Sequence, residues 1–175
     1  MEVERVETER LAGERMAPEH FEELRAIDSD PRVMATLGGL RPESQTRDYL
    51  RAGIEHWELE GFGIWVWHDR ATGDLVGRGG LRRLEIEGLP EVEVAYTVVA
   101  ERWGEGLATE IAHLSVRVAF EELVIPELVC FALTTNVASR RVMEKAGFVY
   151  ERDIEHFALP HAFYRLRSPA RPGPS

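Results

Sequence analysis

A single cysteine in 175 residues rules out a disulfide framework within this chain. Cys130 stands in an apolar run, where a small thiol reads as core and not as a nucleophile. Its isolation fits a reducing, cytoplasmic setting. Long apolar runs are missing too: none approaches the ~18 residues that cross a bilayer, so no membrane partner is expected. The first ten residues are charged throughout, which argues against a secretory signal. Positive charge is in deficit, with 21 basic against 31 acidic side chains and a net charge of −10. Nucleic-acid binding lacks its basic footprint here, whereas cationic acceptors such as amines suit the negative field. No Gly-Lys-Ser/Thr occurs, so a nucleotide P-loop is excluded. His56, His68, His156 and His161 are scattered without His-Glu-x-x-His spacing, and no metal is expected. Neither repeats nor low-complexity blocks precede the tail.

What is present suits one domain. The length allows roughly 70% of the unfolded chain's surface to be buried, and 44% hydrophobic with 30% charged residues is ordinary for a globular protein. Residues 3–11 read as a strand and 18–27 as a short helix that Asp30-Pro31 breaks. A second helix runs to about Glu60, with Tyr49, Leu50, Ile54 and Trp57 on its apolar face. Residues 61–68 and 75–83 form a hairpin about Thr72-Gly73-Asp74, with Trp57, Trp65 and Trp67 as packing residues. A turn at Gly88-Leu89-Pro90 leads into a strand at 92–99. A helix over 104–121 carries Leu107, Ile111, Leu114 and Val118 on one stripe. A strand at 128–134, a helix at 138–146 ended by Gly147, and strands near 148–154 and 162–167 complete the pattern. The fold class is α/β, a mixed and largely antiparallel sheet flanked by helices. The domain spans residues 1–167, and the Pro-rich end at 168–175 is expected to be disordered.

The most informative stretch is Glu93 to Thr109. A strand bearing a carboxylate ends at Val99, and Gly104-x-Gly106 then opens an amphipathic helix. Free N–H groups at a helix start favour an anion. The two glycines alone are weak, because a dinucleotide fingerprint wants a third small residue where Thr109 stands. One strand later, however, comes Thr135-Asn136-Val137-Ala138-Ser139, running on to Lys145-Ala146-Gly147-Phe148. Asn136 is also a natural helix cap.

Together these motifs resemble the GCN5-related N-acetyltransferase (GNAT) superfamily. Within it, the chain looks like the branch that acetylates ribosomal-protein N-termini. Thr8-Glu9-Arg10-Leu11 resembles that branch's opening strand, and Asp30-Pro31-Arg32-Val33-Met34 its early helix. The likeness runs from about residue 6 to 167.

The resemblance implies a sheet with splayed central strands and acetyl-CoA as cosubstrate. The backbone amides of Gly104, Gly106, Leu107, Ala108 and Thr109 would bind its diphosphate. Trp103 replaces the usual Gln or Arg. Backbone groups of Val98 and Val99, with Asn136 opposite, would flank the pantetheine, and an N–H near Val98 would face the thioester oxygen. Attack requires a neutral amine, so a base must take its proton. Glu93 matches the family's glutamate base, and its apolar flanks, Val92, Val94 and Ala95, suggest partial desolvation. Met143 occupies the place of a common tyrosine acid, which leaves Ser139 to hydrogen-bond the departing sulfur. The expected partner is a primary amine, either a ribosomal or other protein N-terminus or a small amine. The alternatives are an antibiotic or polyamine acetyltransferase, or an acyl-CoA-binding module without turnover. A homodimer is compatible with the sequence, and the loops near 28–45 and 155–162 are expected to set the acceptor.

Overall fold

The aromatic and β-branched run Ile64-Trp65-Val66-Trp67 forms the buried middle of the sheet, in keeping with strand propensity. The computed structural model describes residues 3–169. Eight strands, β1 (Arg5–Glu7), β2 (Leu11–Arg15), β3 (Ile64–Asp69), β4 (Leu75–Ile86), β5 (Leu89–Val98), β6 (Glu127–Leu133), β7 (Val149–His156) and β8 (Leu159–Arg167), build one sheet in the order β1-β2-β3-β4-β5-β6-β8-β7. Every neighbouring pair is antiparallel except β5 with β6. The helices are α1 (Phe21–Asp28), α2 (Pro31–Met34), α3 (Glu43–Glu60), α4 (Leu107–Arg117) and α5 (Val137–Lys145).

Strand alternation places the helices on two faces. Arg78 of β4 meets Asp28 at the end of α1, whereas its neighbour Gly79 faces α4. A Cβ on Gly79 would lie 2.8 Å from both the Ala95 carbonyl and Ile111 Cγ2, so glycine is what lets α4 settle on the sheet. The three core tryptophans find partners for their indole N–H groups. Trp57 donates to Ile64 O, Trp65 to Val3 O and Trp67 to Gly79 O, at 2.8 to 3.0 Å.

Local chemistry explains where the elements depart from expectation. The opening strand is a hairpin, because Thr8 makes a turn: its N–H donates to Leu11 O, and its Oγ1 accepts from Leu11 N–H. Asp30-Pro31 starts a helix instead of merely ending one. The Asp30 side chain accepts from Arg32 N–H at 2.9 Å, and Pro31 occupies the first helical position. The β4–β5 turn is the pair Glu87-Gly88, at φ 50° and 80°, so Pro90 falls inside β5. Helix α4 begins at Leu107, and a π-helical turn at Val118–Glu122 follows it. Gly147, at φ 94°, closes α5 as expected, with Phe148 N–H donating to Met143 O and Gly147 N–H to Glu144 O. Of the expected disordered tail, residues 170–175 lie outside the described residues. Ser168 N–H donates to Pro126 O at 2.9 Å.

Candidate active site

The sheet has one weak seam. β5 and β6 register at a single point, Glu93 opposite Val129. Val99 N–H donates to Val76 O at 2.9 Å, which makes Gly77 and Val98 a non-hydrogen-bonded pair. By that register Val94, Tyr96 and Val98 turn their backbone groups away from β4, towards β6. Beyond the Glu93–Val129 bridge the two strands form no further pair, and side chains reach the carbonyls instead. Cys130 Sγ donates to Val94 O at 3.1 Å, and Trp103 Nε1 donates to Val98 O at 2.8 Å. Burial pushes the Cys130 thiol well above its ordinary pKa, consistent with a core residue. Val98 therefore brings its N–H to the gap. Val99 differs, since its N–H bonds to Val76 and its carbonyl accepts from Arg102 N–H.

At the mouth of this seam lies the glycine turn. Gly104 and Gly106 sit at φ 81° and 79°, a left-handed conformation that bends the chain into α4. The helix start has no side-chain cap. Among the described residues, no protein oxygen accepts from the amides of Gly104 through Thr109, including those of Leu107 and Ala108. These donors stay available to an anion. Arg10 was missed by sequence reasoning. Its Nη1 donates to Glu105 O at 2.9 Å, and its Nη2 lies 3.8 Å from where a Cβ on Gly106 would stand. A residue almost a hundred positions upstream carried no local signal for this placement.

Glu93 is 5% exposed, and Arg82 Nε and Nη2 donate to its Oε2 at 2.9 and 2.5 Å. Flanking apolar residues were expected to desolvate it. The structure buries it and pairs its carboxylate with a guanidinium. Glu93 in turn raises the Arg82 pKa. The β7–β8 hairpin approaches this end of β5. Its His156 ring lies 5.0 Å from Phe131 and 5.5 Å from His161. Burial and the neighbouring His161 lower the His156 pKa, with Glu93 and Arg82 close enough to act on it.

Across the sheet, Asn136 Oδ1 accepts from Ser139 N–H at 3.1 Å, capping α5. Ser139 Oγ is 3.0 Å from Tyr96 Oη, which also donates to Ser139 O at 3.0 Å. Tyr96 is the second residue that sequence reasoning missed, and its alternation with Val94 and Val98 was the available clue. Arg140 is turned inward to Tyr164 Oη and Thr134 O. Among the described residues no three His, Cys, Asp or Glu side chains gather as a metal-binding group, and no helix is long and apolar enough to cross a membrane.

A family model described as an acetyltransferase (GNAT) domain matches residues 10–149. Among curated proteins, the chain is 30% identical over 140 residues to the uncharacterized protein YkkB of Bacillus subtilis, covering 80% of this chain and 81% of that one. It is 32% identical over 155 residues to the FsC-acetyl coenzyme A-N(2)-transacetylase of Aspergillus fumigatus, covering 82% of this chain and 64% of that protein. Among solved structures, an acetyltransferase of Agrobacterium tumefaciens matches with a TM-score of 0.82 at 25% identity, covering 94% of each chain.

Proposed function

This chain belongs to the acetyltransferase (GNAT) domain family, and from that premise we propose how its residues divide the work of acetyl transfer to an amine. The enzyme is an acetyl-CoA-dependent N-acetyltransferase. Acetyl-CoA supplies the activated acetyl group. The observation that carries the residue assignment is the run of unengaged amides from Gly104 to Thr109 beside an opened β5–β6 seam.

In this reading, residues 1–167 work as a single N-acetyltransferase domain. The amides of Gly104, Gly106, Leu107, Ala108 and Thr109 hold the diphosphate, and Arg10, whose charge is paired with Glu110, braces the turn by donating to Glu105 O. Val98 N–H faces the thioester oxygen and stabilises the charge that grows there. Asn136, whose Oδ1 is committed to the cap, offers its side-chain nitrogen to the pantetheine. Val99 lies just past β5 with its backbone engaged and its side chain packed against Ile27, Val33 and Met34, so it offers the cosubstrate no backbone hydrogen bond.

Glu93 takes the proton from the attacking amine, directly or through water. Ser139, held by Tyr96, hydrogen-bonds the departing sulfur. The amine attacks in a ternary complex without a covalent enzyme intermediate. The acceptor is a primary amine, either the α-amine of a ribosomal or other protein N-terminus or that of a small molecule.

Calorimetry with coenzyme A, followed by mass spectrometry of amines and N-terminal peptides after incubation with acetyl-CoA, tests this reading. Binding with acetylation of at least one amine is expected. Absence of coenzyme A binding overturns the site, and binding without turnover on any amine overturns catalysis.

A further inference from the structure

Three arginines gather on the face of the sheet opposite α4, next to Glu93. Alternation along β4 puts Arg78 and Arg82 on the face they share with Thr97 and Glu93 of β5. Arg41 arrives from the loop that precedes α3. The Tyr49 ring, on α3, sits between them: Arg78 lies 4.3 Å and Arg41 5.3 Å from its centroid. Two carboxylates answer the three guanidinia. Asp28 is fully buried and takes Arg78 Nη2 at 2.9 Å, Arg41 Nη1 at 3.4 Å and the Thr46 hydroxyl at 2.8 Å. Glu93 takes Arg82.

This leaves an excess positive charge in a chain whose net charge is −10. It also leaves a donor unused. Arg78 is 4% exposed, and its Nη1 is buried with no hydrogen-bond partner among the described residues. A buried charged donor without an acceptor is costly, and proteins seldom keep one without a use for it. Crowding has a second sign: burial and then the charge of Arg78 push the Arg41 pKa down. The cluster reaches solvent through Arg41 and Arg82, whose side chains are 26% and 41% exposed.

We propose that Arg41, Arg78 and Arg82 form an anion subsite in the acceptor cleft, and that the acceptor is an amine carrying a carboxylate. A planar carboxylate matches the fork of guanidinium donors and neutralises the excess charge. Arg41 and Arg82 present the exposed donors, while Arg78, paired with Asp28 through Nη2, keeps Nη1 unused, and the surplus charge belongs to the cluster as a whole. The acceptor's amine then lies towards Glu93, which Arg82 links to the subsite. The overall acidity of the chain pointed to cationic acceptors, and the local charge count points the other way. This inference rests on the acetyltransferase reading above and deepens it by naming the substrate class.

The test pairs acids with amides. Protein saturated with coenzyme A is titrated calorimetrically with glycine, β-alanine, γ-aminobutyrate and glutamate, and with the corresponding amides. At least one acid is expected to bind about 10-fold or more tighter than its amide. In Arg41→Gln that preference falls to near unity while amide binding is unchanged, and Arg41→Lys restores part of it. The ratio of kcat/KM for acid over amide follows the same order. Equal or tighter binding of the amides, no binding of any acid, or equal weakening of acid and amide in Arg41→Gln overturns the subsite. An acid preference in binding without acetyl transfer keeps the subsite and strikes the acetyltransferase reading instead.

Discussion

Gly106→Ala separates the conformational role of the glycine turn from its role in ligand binding. Gly106 sits at φ 79°, where an L side chain costs about 1–2 kcal/mol. The added Cβ would meet only Arg10 Nη2, at an ordinary 3.8 Å, so the penalty is conformational and not steric. Gly88 is a matched control. Its φ is 80°, nothing lies within 4 Å of its would-be Cβ, and it belongs to the β4–β5 turn, away from α4. Both variants should lose about 2–8 °C in Tm. Only Gly106→Ala should also lose coenzyme A affinity, because relieving its backbone moves the amides at the helix start. A hydrogen bond to a charged group contributes about 1.5–3 kcal/mol, so misaligning one weakens Kd by roughly 10- to 100-fold. Differential scanning fluorimetry without ligand and calorimetry with coenzyme A read the two effects apart. If both variants lose the same Tm and both bind coenzyme A like the parent, the amides around Gly106 do not hold the diphosphate.

Glu93→Gln should lower kcat/KM for amines by at least about 10-fold and remove the rise in rate with pH that a titrating base produces; a pH–rate profile unchanged in shape and height removes Glu93 from the mechanism. Ser139→Ala should lower kcat and leave the affinity for coenzyme A intact, with Tyr96→Phe reproducing part of the loss through the 3.0 Å contact between their hydroxyls. A loss of affinity alone would make Ser139 a binding residue. Glu110 gives a pH prediction for stability. Burial opposes its charge, but hydrogen bonds from Thr8 and Arg10 outweigh burial and hold its pKa below the ordinary carboxylate value of 4.5. The stabilisation is therefore complete above about pH 4.5 and is lost as pH falls through the lower folded-state value. Glu110→Gln should be less stable than the parent at neutral pH, with the difference shrinking in acid; a Tm difference that stays constant from about pH 7 to about pH 3 contradicts this account.

The parts of the site that were legible in the sequence are those made by neighbours in the chain. The glycine turn, the Asn136 cap and the Gly147 helix stop each depend on a few consecutive residues, and each stands where the spacing placed it. The partners were not legible. Arg82 faces Glu93 because of the β4–β5 register, which a turn of two residues fixes, and the sequence was read with a longer one. Tyr96 reaches Ser139 across two elements, and Arg10 reaches the start of α4 from the other end of the sheet. Trp103 stood out only as an unusual residue, and its use emerged from the splayed seam, where it occupies the Val98 carbonyl. The same limit applied to charge: the net −10 hid a local surplus that only the packing of α1, α3 and β4 creates.

Among the described residues seven seams join the eight strands, and six of them are ladders of three or more pairs, two with a register shift at Trp67/His68 and Tyr150/Arg152. The seventh, between β5 and β6, is tacked at one rung. Without ligand, the five-stranded and three-stranded portions share that one backbone rung and side-chain links such as Cys130 to Val94 O and Arg165 to Glu91, and the seam is where opening should cost least. A linear amide-containing molecule lying along it adds the missing rungs and works as a splint. Cosubstrate binding should then slow amide exchange along both bordering strands at once, well beyond the atoms it touches.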